Sequence, residues 1–323
     1  MRKLLVIALL AALLIPVFAD DGTVLPAGVF RARVIPAFGW AAGGYDSNGN
    51  YVSFPNSAFA GYNGTLTAAN LGFSLEYGLN DWVTLGLQWA PGITFASNIP
   101  LTALVQGSTG ISSANQNGPS DLFFGVMLQI VGPKAPVVSD VVRFDLAPGI
   151  NIPFASDLST QTGSTQTIVS PDIPAFGFGG RAYLDYVFSP SFFLDLYSQF
   201  IDYPTSVDSK YYSPLITAGT SMGFGYTLRV ELDPHYIAQL SDSITLTANC
   251  AFRYDGTPEQ TQNGVAQSNT NTTLFTANPA VSVFFQKFVV PLELELDYGQ
   301  PLYGINAVAA YSLDLQAKVY FKL

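Results

Sequence analysis

The chain has 323 residues, 49% of them hydrophobic and only 11% charged, with 24 Phe, 17 Tyr and 29 Gly. A net charge of −10 leaves little cationic side chain to neutralise phosphates, which excludes a nucleic-acid partner. One Cys and one His exclude disulfide frameworks, clustered metal ligands and histidine chemistry, so no cofactor, metal, catalytic residue or enzymatic activity is expected.

Residues 1–19 have the layout of a cleaved secretory signal peptide. Arg2 and Lys3 come first, an apolar run extends from Leu4 to Leu14, Pro16 breaks it, and Val17 and Ala19 occupy the cleavage positions. Residues 20–323 are expected to form one domain. Beyond the signal, no run of about 18 apolar residues could cross a bilayer as a helix. A chain this apolar that crosses by other means must close its strands into a barrel, because lipid cannot satisfy an open sheet edge.

Twelve segments alternate as an antiparallel transmembrane β-barrel requires. In the first, Phe30, Ala32, Val34, Phe38 and Trp40 oppose Arg31 and Arg33. Leu71, Phe73, Leu75 and Tyr77 then oppose Ser74 and Glu76. After a turn at Gly78-Leu79-Asn80-Asp81, Val83, Leu85, Leu87 and Trp89 oppose Thr84 and Gln88. The fourth and fifth set Leu122, Phe124 and Val126 against Asp121 and Gln129, and Phe144, Leu146 and Ile150 against Arg143, Asp145 and Asn151. The sixth, around Phe178 to Tyr186, turns Arg181 and Asp185 inward, and the seventh, from Phe192 to Phe200, turns Asp195, Tyr197 and Gln199 inward.

In the eighth, Met222, Phe224, Tyr226, Leu228, Val230 and Leu232 oppose Thr227, Arg229, Glu231 and Asp233. Ile244 to Phe252 and Phe275 to Phe285 are the ninth and tenth. The eleventh sets Leu292, Leu294, Leu296 and Tyr298 against Glu293, Glu295 and Asp297. The last runs from Tyr311 to Leu323 with Asp314, Gln316 and Lys318 on its polar side.

No Asp, Glu, Lys or Arg falls on the apolar face of any segment. A Lys or Arg at the lipid midplane costs about 2–4 kcal/mol, so this segregation marks a lipid-facing surface. The long connections, Gly43–Gly64, Pro91–Ser120, Phe154–Ile173, Tyr203–Thr220 and Asp255–Thr273, are rich in Gly, Ser, Asn and Thr. A brief final loop lies around Gly299–Ile305. Long loops outside, short turns inside and both termini periplasmic is the parity of the outer membrane of a diderm bacterium. Tyr77, Trp82, Tyr186, Phe188 and Phe192 flank the short turns, where an aromatic girdle sits in membrane lipid. The closing Val319-Tyr320-Phe321-Lys322-Leu323 resembles the C-terminal signal read by the barrel-assembly machinery, with Leu323 in place of the usual aromatic residue.

Three stretches carry a family likeness: the hairpin Leu71–Trp89, the strand start Gly118-Pro119-Ser120-Asp121-Leu122-Phe123-Phe124-Gly125, and Pro148-Gly149-Ile150-Asn151-Ile152-Pro153 before Ala155-Ser156-Asp157. Together they resemble the outer-membrane transporters typified by meta-pathway phenol-degradation proteins, themselves related to the long-chain fatty-acid transporters. That family's glycine between Pro153 and the acid is missing. The resemblance implies uptake of small hydrophobic or aromatic molecules.

The polar faces nominate Arg31, Arg33, Arg143, Asp145, Arg181, Asp185, Arg229, Glu231, His235, Glu293, Glu295 and Asp297 as lumen-lining. A lone His235 raises the reading of a lipid-facing Ser–His hydrolase pair, but its phase puts it inside, next to a bulge expected at Pro234. The Gly-rich stretches 176–180 and 223–225 lack the helix that a phosphate loop needs. Inward glycines there suit strand bending or close side-chain approach. If the last strands close on the first, Arg31 and Arg33 are expected to face the Glu293–Glu295–Asp297 ladder across the seam. The apolar stretch 93–105, with Ile93, Phe95, Leu101 and Leu104, is expected to be part of a long external loop that either packs against other loops or folds inward as a constriction or entrance. These features suggest a channel or passive transporter for small molecules of unspecified identity. The alternative is a non-conducting surface protein whose loops bind ligands or host components.

Overall fold

The computed structural model describes residues 24–54, 64–96, 99–100, 113–115, 117–154, 157–158, 166–168, 170, 172–213 and 216–322. The twelve segments form twelve strands: β1 (Val29–Ala41), β2 (Leu66–Asn80), β3 (Val83–Ala96), β4 (Leu122–Gly132), β5 (Val142–Ile152), β6 (Gly177–Ser189), β7 (Phe192–Tyr203), β8 (Gly225–Ser241), β9 (Ile244–Thr257), β10 (Thr272–Phe285), β11 (Leu292–Ile305) and β12 (Tyr311–Lys322). Each pairs antiparallel with its neighbours in sequence, and β12 pairs with β1, so the sheet closes and leaves no edge. A tilted strand needs about 9–11 residues to cross a bilayer. Strands of 11 to 17 residues therefore cross and continue past the apolar band. Among the described residues no helix is long and apolar enough to cross a membrane.

The alternation in sequence is the alternation in space. Val34, Phe73, Leu75, Leu87, Leu196 and Leu296 are exposed on the outside, while Arg31, Arg33, Ser74, Gln88 and Asp297 are buried inside. A side-chain period of two makes this unavoidable once one face is committed to lipid.

Three sequence expectations need correction. Met222 and Phe224 are not lipid-facing: both are buried, and β8 begins only at Gly225. Gly225 takes φ +69°, a left-handed conformation that turns the chain. Residues 221–223 consequently leave the barrel and pair with 207–208 and 261–262 in a small sheet at the long-loop end. There Met222 and Phe224 pack with Phe123, Ile201, Tyr203 and Tyr212.

The second correction concerns Ile93 and Phe95, which are not in a loop. They continue β3 to Ala96 beyond a two-residue bulge, with Leu71 opposite Ile93 but Phe73 opposite Trp89, and Phe95 is exposed. Gly92 in that bulge has φ +81°, and a Cβ there would strike the Leu71 carbonyl. Leu101 and Leu104 lie outside the described residues. The third correction is at Gly299–Ile305, which is the end of β11 rather than a loop; Pro301 sits at a register shift against β10, where its missing N–H is tolerated.

Candidate functional site: a charge-layered lumen below a cavity

Packing inward-facing charges into a narrow barrel forces them to pair, because a buried unpaired charge is costly. At one level Arg31 and Arg33 of β1 both take the carboxylate of Glu76 on β2, Arg33 at 2.6 Å. Beside Arg33, on β12, lies fully buried Lys318. Its ammonium reaches Glu293 at 3.1 Å and Glu295 at 2.9 Å on β11. Gln316 donates to Glu295 at 2.9 Å, and the Tyr320 hydroxyl donates to Glu293 at 2.8 Å. Arg31 and Arg33 thus pair with Glu76 inside β1–β2, and Glu293 and Glu295 with Lys318 of β12, whereas Asp297 has no hydrogen-bond partner among the described residues. β12 separates β1 from β11, two interstrand steps of about 4.8 Å each, while Glu76 is one step from the arginines.

Further round the wall, Arg143 meets Asp185 at 2.6 Å. Asp185, Asp195 and Asp233 then stand opposite one another across β6, β7 and β8. His235 Nε2 lies 3.0 Å from Asp233 and its ring stacks on Phe193 at 4.3 Å; the bulge expected at Pro234 is absent, Pro234 standing in unbroken register opposite Leu194. Arg229 and Arg253 share Asp255, each at 2.7 Å, with Glu231 3.7 and 4.0 Å from them. Asp145 is buried opposite Gln129, and Asp297 is buried opposite Asp314.

At the short-turn end, residues 24–28 fold back onto the barrel. Leu25 is buried and its N–H donates to Thr84 Oγ1 at 2.8 Å, while the Gly28 N–H donates to the Gly78 carbonyl at 2.8 Å. The Ala27 N–H donates to Asp81 at 3.2 Å, and Lys134 meets the same carboxylate at 3.3 Å. These contacts hold the Asp81 carboxyl below its usual range, the Ala27 N–H being the larger cause.

Toward the long-loop end the lumen opens into a cavity of about 230 Å³. Its apolar wall is Phe123, Tyr203, Tyr212 and Phe224; its polar wall includes Arg181, Arg229, Gln88, Gln199 and Asn151. Arg181 stacks over Phe123 at 4.0 Å and donates to Gln199 at 3.0 Å and to Gln88. Inward Gly149 and Gly125 leave the space that the Phe123 ring fills. Asp121, just before β4, accepts from the Asn151 amide; burial, then neighbouring Asp172, push its carboxyl well above the usual range.

The alternation places Glu76, Asp233 and Lys318 on polar faces without singling them out, and Arg253, which follows the ninth segment, continues the same phase. It missed Phe123, an aromatic residue on a polar face, and the loop aromatic Tyr212, for which alternation offers no signal.

A closed twelve-stranded barrel with an apolar exterior, a charged interior and long loops at one end is the outer-membrane β-barrel fold. Among solved structures, an outer membrane channel from Pseudomonas putida F1 matches 94% of this chain and 100% of its own, with a TM-score of 0.64 at 15% identity. The NanC porin matches at 9% identity over 90% of this chain and 100% of its own, TM-score 0.42. A Pseudomonas aeruginosa FadL homologue matches at 11% identity over 91% and 90%, TM-score 0.38. The first of these shares the fold. No protein-family model and no curated protein matches the chain.

Proposed function

We propose that the protein is a passive transporter of small molecules in the outer membrane, with the long loops outside and the short turns in the periplasm. The carrying observation is the cavity at the long-loop end of a lumen otherwise crowded by paired charges. An open porin would keep a water-filled path; here ion-paired side chains occupy the barrel interior. The aromatic wall favours apolar or aromatic solutes, and the guanidinium and amide groups facing it would orient a polar substituent. Arg31, Arg33, Arg143, Asp145, Arg181, Asp185, Arg229, Glu231, His235, Glu293, Glu295 and Asp297 are the lumen groups a solute would meet.

The test pairs planar-bilayer conductance with uptake of a small aromatic solute into liposomes. Low conductance with measurable uptake supports the reading, and Phe224→Ala together with Tyr212→Ala should change uptake. Large porin-like conductance would assign an open hydrophilic channel instead. Neither conductance nor uptake would favour the loop-binding surface protein.

A further inference from the structure

Arg181 of β6 is oriented by an aromatic face and two neutral amides. Its guanidinium lies over the Phe123 ring, 4.0 Å from the centroid, and donates to the side-chain oxygens of Gln199, at 3.0 Å, and Gln88. Gln88 stands opposite Phe123 across β3 and β4, and Arg181 opposite Gln199 across β6 and β7, so the contact to Gln88 passes over β5. There the inward residues are Ala147, opposite Arg181, and Gly149, opposite Gly125, too small to obstruct it. The same glycines make room for the Phe123 ring, which a Cβ at either would strike.

β3, β4, β6 and β7 thus contribute parts to one platform that presents a guanidinium to the cavity of about 230 Å³. A guanidinium whose plane is already fixed by stacking and by side-on amides loses little freedom when its fork meets a carboxylate. The acids on the same wall have partners. Asp255 takes Arg229 and Arg253, each at 2.7 Å, and Asp172 accepts from the Ile173 N–H at 2.8 Å. Asp121 accepts from the Asn151 amide, and burial, then Asp172, push its carboxyl toward the protonated form. An ammonium would have to displace these partners, whereas a carboxylate would meet donors.

Given the transport role proposed above, we infer that Arg181 sets the specificity of this cavity and that the solute it selects is a one-ring aromatic monocarboxylate. The carboxylate accepts from the guanidinium fork, and the ring rests against Tyr203, Tyr212 and Phe224. Size narrows the class. Drug-sized ligands fill about 300–1,000 Å³, so a cavity of about 230 Å³ suits one ring and is short for a long acyl chain. Charge does the discriminating, because a charge-assisted hydrogen bond is roughly twice as strong as a neutral one.

The test measures saturable binding of benzoate, benzamide and benzylamine to the full chain in detergent at pH 7.5 by equilibrium dialysis, with protein-free micelles correcting for partition. Benzoate is expected to bind at least about fivefold more tightly than its neutral isostere benzamide or the cationic benzylamine. Arg181→Gln should lower that preference below about twofold, since it removes the charged donor. A smaller preference in the wild type, no saturable benzoate binding, or a preference that survives in Arg181→Gln overturns the assignment. The liposome uptake described above judges the transport reading separately, because uptake of a neutral aromatic solute keeps that reading whatever benzoate does. Folding of the variant is checked by heat-modifiable gel mobility. If it does not fold, Arg181→Lys takes its place: it keeps the charge but loses the planar fork, so the preference should fall at least about twofold, and an unchanged preference overturns the site.

Discussion

Lys318 carries more of the lumen than its single charge suggests, because two carboxylates converge on one fully buried ammonium. Removing one member of a buried pair leaves the other desolvated and costs about 3–5 kcal/mol. Lys318→Met should lower the urea midpoint accordingly, and adding Glu293→Gln and Glu295→Gln should restore most of it. A single variant as stable as wild type would mean that these carboxylates are solvated in the membrane-embedded protein. Asp81 acts at the rim. Its carboxyl is held low by the Ala27 N–H and by Lys134. A depressed acid stabilises above its ordinary value, near 3.9, and loses that contribution as pH falls through its lowered one. Amide exchange at Ala27 should stay slow down to about pH 4 and rise below it, whereas Asp81→Asn should exchange fast at every pH.

At the scale of elements, each strand is specified by its two faces. Leu196 in the middle of β7 is exposed to lipid, while Thr227 on β8 faces the cavity. Leu196→Arg should cost about 2–4 kcal/mol and depress assembly yield, and Thr227→Arg should fold. Equal yields would contradict the assigned phase. The segment 24–28 depends on Gly78, where a Cβ would meet the Pro26 and Leu25 carbonyls. Gly78→Val should therefore lift that segment and make it protease-sensitive without unfolding the barrel.

Strand identity and facing were legible because lipid outside and paired charge inside leave only period-two solutions. Strand ends were not. Phe224 keeps the β8 phase in sequence, but the positive φ of Gly225 redirects it, and a glycine does not announce its φ. Ile93 and Phe95 looked like loop because Pro91-Gly92 reads as a turn; in three dimensions it is a bulge within β3.

Over the whole molecule, alternation told which charges point inward but not which strands they would bridge, since pairing depends on the number of strands between them. Arg31 and Arg33 with Glu76, and Lys318 with Glu293 and Glu295, each sit within one hairpin. The β12–β1 pairing therefore joins two hairpins that each contain counter-ions of their own. Backbone ladders and the stacked rings Phe30–Phe321 at 5.4 Å and Trp40–Tyr311 at 5.7 Å meet across that line. Attraction between exposed unlike charges is screened within about 10 Å at 0.1 M salt, whereas these intra-hairpin pairs are buried and screened much less. Folding into detergent micelles should accordingly proceed at nearly the same rate from 0.05 to 1 M NaCl, whereas Phe321→Ala should slow it. A barrel built this way can be sealed in a medium whose ionic strength it does not control.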